Sequence, residues 1–360
     1  MVICAACGAG YADDIPAQEA FDHYYAEMSK YEYTDRSGIQ SETDLQRFRE
    51  IANLVALHLQ ATHHLLDIGC ATGGLLAEFK RRGFSNLLGV DPSPCCTQLT
   101  EQAYGIPSRS LSISALDRLG EQFDAIFLTG VLEHLREVDS SLNKVKACLR
   151  PGGLIYFEVP DATRYDHHFS APFQFFSMEH VNFFSPTSLR NLLARHGFSC
   201  VFTERLIRYL SPKAIEPGVG GLFRWDSTER SVITPVRDDE TEPALQRYIQ
   251  QSRNLEQRIQ EKISALADTG RPLAVWGVGT HTLRLLETSR LPNTRIIAFI
   301  DSNVHYQGKT LVGKPVVAPS VFADRDTEIL ISSHTAEEEI FQFITQKLHW
   351  PNTVHRLYAG

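Results

Sequence analysis

The stretch LLDIGCATGG, Leu65 to Gly74, decides the fold. Its first four residues read as a short buried strand, and Gly69, Gly73 and Gly74 open a turn into the next helix. Glycine allows positive φ and close approach of backbone to a ligand. A strand–turn–helix of this kind serves many nucleotide sites, so alone it says little. Asp67 narrows it. A carboxylate directly ahead of the turn repels a pyrophosphate and suits a ligand that carries positive charge.

Outward from this turn the chain alternates short apolar strands with helices. Strands are expected at LLGVD from Leu87, FDAIFLTG from Phe123 and LIYFEVP from Leu154, which implies parallel βαβ units. Asp91 closes the second strand ahead of Pro92, about half a βαβ unit after Asp67, where an acid accepts both hydroxyls of a ribose. Thr129 and Gly130 fall at the carboxyl edge of the third strand, where such sheets bind ligands. A nucleoside with an ammonium and a sulfonium in place of phosphates meets all these demands, and S-adenosylmethionine is one. The three blocks, with LRPGGLIYFEVP, resemble the signature of class I S-adenosylmethionine-dependent methyltransferases from Leu65 to Pro160. The resemblance implies an α/β, Rossmann-like, doubly wound sheet with S-adenosylmethionine as cofactor. It places Asp67, Gly69, Cys70 and Gly73 around the methionyl part, Asp91 and Pro92 at the ribose, and Thr129 and Gly130 beside them.

Four segments are expected. An aromatic, polar stretch with the knuckle Cys4-Ala-Ala-Cys7-Gly8 fills 1–44. The donor-binding domain runs over 45–208, opening on a helix marked by Leu45, Phe48, Ile51, Ala52, Val55 and Leu59. Residues 209–270 hold a Pro- and Gly-rich linker or covering loop, then an amphipathic helix from about Ala244 to Ala267. A second Rossmann-like α/β domain follows over 271–360, with PLAVWGVGTHT, RIIAFIDSN and EILISSH. Its Gly277-Val278-Gly279 and Asp301 match a dinucleotide fingerprint except that Thr282 replaces the third glycine. A nucleotide-sugar-binding or closing role, a structural role and nicotinamide binding stay open for it, with His334 a candidate for the same crevice.

The acceptor side is read from FQFFSMEHVNFFSPTSLRNLLARHGF, Phe173 to Phe198. Glu179-His180, the aromatic turn after it, His134 in VLEHL, Tyr31-Glu32-Tyr33 and the second α/β domain stand in the order found in sugar C-methyltransferases acting on nucleotide-activated keto sugars. The chain resembles that family over most of its length, with two departures. The family's zinc site has two Cys-x-x-Cys knuckles and this chain has one. Ser177 stands where the family places a tyrosine. Tetrahedral zinc needs four ligands, so neither a zinc site completed by His23, His63 or His64 nor any other metal is expected.

Methyl transfer is an in-line displacement at the sulfonium methyl, and the attacking carbon or oxygen must shed a proton. A base poised near neutrality is required, and histidine is the ready choice. His180 is the expected general base, with Glu179 orienting it or holding a substrate hydroxyl, and His134 and Tyr33 stabilising a developing enolate oxygen. Carbon methylation of a sugar is preferred. O-methylation of a sugar or other small molecule, a non-catalytic donor-binding module and an oxidoreductase built on the second fingerprint are the alternatives. His167-His168 reads as an exposed loop pair, and Phe169, Phe173, Phe175 and Phe176 as the packing of a lid.

The remaining composition excludes other classes. The chain has 360 residues, a net charge of −8 and 43% hydrophobic residues. The acidity argues against nucleic acid as a partner, and no apolar run approaches a membrane span. Seven scattered cysteines suit reduced thiols, so a cytoplasmic chain with a small-molecule partner is expected.

Overall fold

The computed structural model describes residues 1–27, 40–177, 179–209, 214–226, 234–322 and 324–359. Tyr33 lies outside them. The described chain forms two compact units, 1–168 with 175–248, and 169–174 with 249–360.

In the first unit, β1 (Val2–Ile3) and β2 (Gly10–Tyr11) precede α1 (Gln18–Glu27) and α2 (Glu42–Ala56). Then come β3 (Leu65–Ile68), α3 (Gly74–Arg81), β4 (Leu87–Asp91), α4 (Pro94–Tyr104), β5 (Ser108–Ser110), β6 (Phe123–Thr129), α5 (Val138–Ala147) and β7 (Leu149–Pro160). The unit continues with β8 (Asn182–Phe183), α6 (Pro186–Arg195), β9 (Phe198–Tyr209) and β10 (Ile215–Trp225). Seven strands make one sheet in the order β5-β4-β3-β6-β7-β10-β9. The first five are parallel, and β10 runs antiparallel to both its neighbours. Alternation along each strand feeds two cores. Leu66, Ile126, Leu128, Ile155 and Phe157 pack on one face with Leu142 and Val145 of α5 and Leu189 of α6. Leu65, Phe127 and Tyr156 pack on the other with Ile51 and Val55 of α2 and Leu75 and Phe79 of α3. Helices on both faces of a parallel sheet are the doubly wound arrangement. The order reverses at β3, so the crevice at the carboxyl ends of β3, β4 and β6 is the topological switch point.

One segment departs from expectation. Residues 209–243 read as linker or loop, yet Ile215–Trp225 is β10, buried along most of its length between β7 and the edge strand β9. Pro217 is tolerated because the ladder with β7 begins only at the next residue, Gly218 opposite Pro160, and the Pro217 carbonyl accepts the Asp161 N–H at 2.8 Å. Glycine is required at 220 because a Cβ there would stand 2.7 Å from the Tyr156 hydroxyl. Close packing, not flexibility, accounts for the composition.

In the second unit, α7 (Thr241–Thr269), whose residues from Ile249 onward belong here, precedes β11 (Pro272–Trp276), α8 (Thr280–Thr288), β12 (Arg295–Ile300), β13 (Thr310–Leu311), β14 (Lys314–Val317), β15 (Glu328–Ile331), α9 (Glu337–Gln342) and β16 (Val354–Arg356). The sheet runs β13-β14-β12-β11-β15-β16, parallel except at β13. Leu255, Ile259, Ile263 and Leu266 of α7 pack with Leu273, Val275 and Leu330 on one face, while Trp276, Ile331 and Trp350 fill the other. This is a second α/β domain. Phe175 and Phe176 pack in the first unit with Tyr165 and Tyr248. Phe169 joins the core of the second, so the four phenylalanines read as one lid divide between two cores. Among the described residues no helix is long and apolar enough to cross a membrane.

Candidate functional site

At the end of β3 the chain turns sharply. Gly69 and Gly73 adopt φ of 76° and 79°, a region that favours glycine, and Gly73 leads directly into α3. A Cβ on Gly73 would lie 2.5 Å from Thr100 Cγ2, so the turn lies tight against α4. Asp67 is 2% exposed, and its Oδ1 has no hydrogen-bond partner among the described residues. Burial, reinforced by the nearby Asp91 carboxylate, pushes its carboxyl up to about 8. Asp91 ends β4. Its Oδ2 accepts the Ala71 N–H and its Oδ1 the Ser93 N–H, both at 2.9 Å, which leaves further lone pairs for a diol. Burial raises its carboxyl as well. Cys70 turns its side chain inward against Gly89, so it offers the crevice only backbone. Pro92 follows Asp91, and its carbonyl accepts the Ser110 hydroxyl at 3.2 Å. Thr129 ends β6, and Gly130, with φ of 75°, donates its N–H to the Glu158 carbonyl at 2.8 Å.

The acceptor candidates gather where 130–135 meets 177–182. The Val181 N–H donates to the Glu133 carbonyl at 2.7 Å, and Asn182 Nδ2 donates to the carbonyls of Leu132 and Leu135. This clamp brings the His134 and His180 rings to 4.9 Å, edge to face. His134 Nδ1 lies 3.0 Å from the Glu179 carbonyl. A carbonyl only accepts, so Nδ1 carries the proton, which the Tyr25 hydroxyl at 2.9 Å also accepts while donating its own to Glu179, and Nε2 lies 4.0 Å from Glu133 Oε1. The Glu179 carboxylate accepts from the hydroxyls of Tyr24 at 3.0 Å and Tyr25 at 3.1 Å. Its negative charge and burial push the Tyr25 phenol far above its ordinary range, with burial the larger cause. The His180 Nδ1 is enclosed and has no partner among the described residues; burial pushes this imidazole down to about 4 and keeps it neutral.

Sequence reading missed the tyrosine pair of α1, although two adjacent tyrosines directly after His23 were visible. It also missed the ion cluster beneath. The buried Arg208 guanidinium lies 3.1 Å from Glu216, 3.4 Å from Glu158 and 3.6 Å from Glu133, and Arg47 Nε donates to Glu158 at 2.5 Å. These charges come from four distant segments, so no local pattern announces them. In the knuckle the Cys4 N–H donates to the Ala9 carbonyl at 2.8 Å, and among the described residues no third metal-ligating side chain joins Cys4 and Cys7. His167 and His168 end a short 3₁₀ turn, Ala162–His168, with His167 exposed.

Residues 42–202 match the family model described as a methyltransferase domain. The chain is similar to the ubiquinone biosynthesis O-methyltransferase of Agrobacterium fabrum, 35% identical over 97 residues, 26% of this chain and 38% of that one. It is also similar to that of Parvibaculum lavamentivorans, 34% identical over 110 residues, 29% of this chain and 43% of that one. The chain spans about two fifths of the length of these curated relatives. Among solved structures, the Burkholderia thailandensis 1,6-didemethyltoxoflavin-N1-methyltransferase aligns with 62% of this chain and 98% of its own at 21% identity and a TM-score of 0.43. The crevice at β3, β4 and β6 lies wholly inside the segment that matches this family model.

Proposed function

We propose that the chain is an S-adenosylmethionine-dependent methyltransferase acting on a small molecule, with a sugar, nucleotide-activated and methylated at carbon, as the acceptor. The observation that carries the first part is the pair Asp67 and Asp91 at the ends of adjacent strands, inside the segment that matches a methyltransferase domain. Asp67, with an oxygen that lacks a donor among the described residues, suits the ammonium of the methionyl part. Asp91 takes the ribose hydroxyls, and the positive-φ backbone at Gly69 and Gly73 lets the donor lie against the chain. Cys70, Pro92, Thr129 and Gly130 complete the rim through backbone and a hydroxyl.

The sugar reading draws on the Glu179-His180 block, His134 and the second α/β domain. In it, the neutral His180 takes the acceptor proton and the bond to the sulfonium methyl forms as the sulfur keeps its electron pair, with His134 assigned beside the acceptor's oxygen. Glu179, braced by Tyr24 and Tyr25, holds a substrate hydroxyl; Tyr33 is assigned beside them. A second reading, methylation of a hydroxyl oxygen, is favoured by the curated relatives, which are O-methyltransferases.

Purified protein is incubated with S-adenosylmethionine and a panel of nucleotide-activated keto sugars, hydroxy sugars and phenols, and products are weighed by mass spectrometry. A methylated keto sugar formed in heavy water with exchange of its alpha proton supports carbon transfer. Methylation of a hydroxyl without such exchange establishes the second reading. Donor binding with no product in any class sinks the acceptor assignment.

A further inference from the structure

Two polar atoms beside the donor crevice are enclosed and lack a hydrogen-bond partner among the described residues, Glu133 Oε2 and His180 Nδ1. Buried acceptors left unpaired cost about 1–3 kcal/mol each and are uncommon in folded proteins. Here two lie in one place. Glu133, His134 and His180 each bring a ligating atom within 4.8 Å of the others, the one such group among the described residues.

Three further features point to a cation. Metal-ligating histidines habitually donate their other ring N–H to a carbonyl or carboxylate, and His134 Nδ1 already does so at the Glu179 carbonyl, 3.0 Å away. The backbone bond from Val181 to Glu133 ties the segments carrying the three ligands together. In charge, Glu133, Glu158 and Glu216 face Arg47 and Arg208, which leaves a buried negative excess beside the two imidazoles.

We propose that Glu133, His134 and His180 bind one divalent cation of the zinc class. Two imidazoles and one carboxylate suit zinc, iron, cobalt or nickel, whereas magnesium favours an octahedral shell of oxygens. Metal–ligand bonds of about 2.0–2.2 Å require the three atoms to draw inward by side-chain rotation. Three protein ligands leave a position open, as in catalytic rather than structural sites. The inference rests on the acceptor-site reading and changes its agent. The lone pair assigned to the acceptor proton goes to the metal instead, and an acceptor oxygen on the open position loses its proton more readily for being coordinated. One nitrogen cannot serve both roles.

The full chain is stripped with chelator, dialysed and titrated with cobalt(II) and zinc(II), magnesium(II) serving as control. Expected are visible cobalt d–d bands that zinc displaces, and a content of about one metal per chain by elemental analysis. His180→Gln and His134→Gln should each weaken metal binding by about 10-fold or more while thermal unfolding and donor binding persist. Cys4→Ser with Cys7→Ser should leave the cobalt bands intact. Bands that vanish with the cysteines, binding unchanged in His180→Gln, or no metal bound would each overturn the site. If the stripped protein methylates at full rate, the metal is excluded and His180 stands as the base. If metal binds and no acceptor in the panel reacts, the site stands and the acceptor reading fails.

Discussion

Asp67 keeps one carboxylate oxygen buried with no donor among the described residues, and its carboxyl is pushed up to about 8 by burial and by Asp91. At neutral pH it therefore holds a proton that a cationic donor must expel. The carboxylate is the binding form, so affinity for S-adenosylmethionine should strengthen as pH rises from 6 toward 8, by up to about 10-fold per unit. Calorimetry in buffers of different ionisation enthalpy should record proton release on binding, and Asp67→Asn should abolish both release and slope. His281, at the start of α8, makes the opposite kind of case. Its Nε2 is bonded to the Tyr358 hydroxyl, and burial, with smaller contributions from His334 and Arg284, pushes it down to about 4. An unfolded histidine titrates near 6.5. Between those values the unfolded chain binds a proton that the folded chain refuses. Its stabilisation is whole above about pH 6.5 and is lost as pH falls toward 4, by up to about 3 kcal/mol. Urea unfolding at pH 7 and pH 4.5 should show a shallower acid loss for His281→Asn.

Strand β10 carries the argument at the level of secondary structure. Strands β3, β4 and β6 of the same sheet are legible because apolar runs lead to Asp67, Asp91 and Thr129, and β7 because of LIYFEVP. β10 is not, since Pro217, Gly218, Gly220 and Gly221 are the residues that punctuate loops. What selects them is the fit against neighbouring strands, which a single sequence does not display. Gly220→Ala should destabilise by about 1–3 kcal/mol, because the new methyl meets the Tyr156 hydroxyl at 2.7 Å. Adding Tyr156→Phe should recover part of the loss in denaturant titrations. No recovery would mean that the contact with Leu206 Cδ2, at 3.0 Å, sets the cost. Helix α7 shows the milder error: its apolar spacing marked about Ala244 to Ala267, and the helix extends over Thr241–Thr269.

Arg208 joins the loop after β6, strand β7 and strand β10 through Glu133, Glu158 and Glu216, so it bears on the first unit as a whole. Arg208→Met would leave those buried carboxylates facing Arg47 alone. The expected loss is about 3–5 kcal/mol, seen as a lower urea midpoint with unchanged slope. Replacing Arg208 and Glu216 together by apolar residues should cost less than Arg208→Met alone. The α/β class, the two α/β domains, the glycine turn and the strand-end acids Asp67 and Asp91 could be read in one dimension, because each follows from strand period, turn chemistry and a charge at a strand end. Those are local rules. The tyrosine pair on Glu179, the pairing of Glu133 with His134 and His180, and the guanidinium under them were set by the folded chain alone. Each group includes residues tens to more than a hundred positions apart, and what selects them is low-dielectric burial and mutual hydrogen bonding, which exist only once the sheet has brought them together.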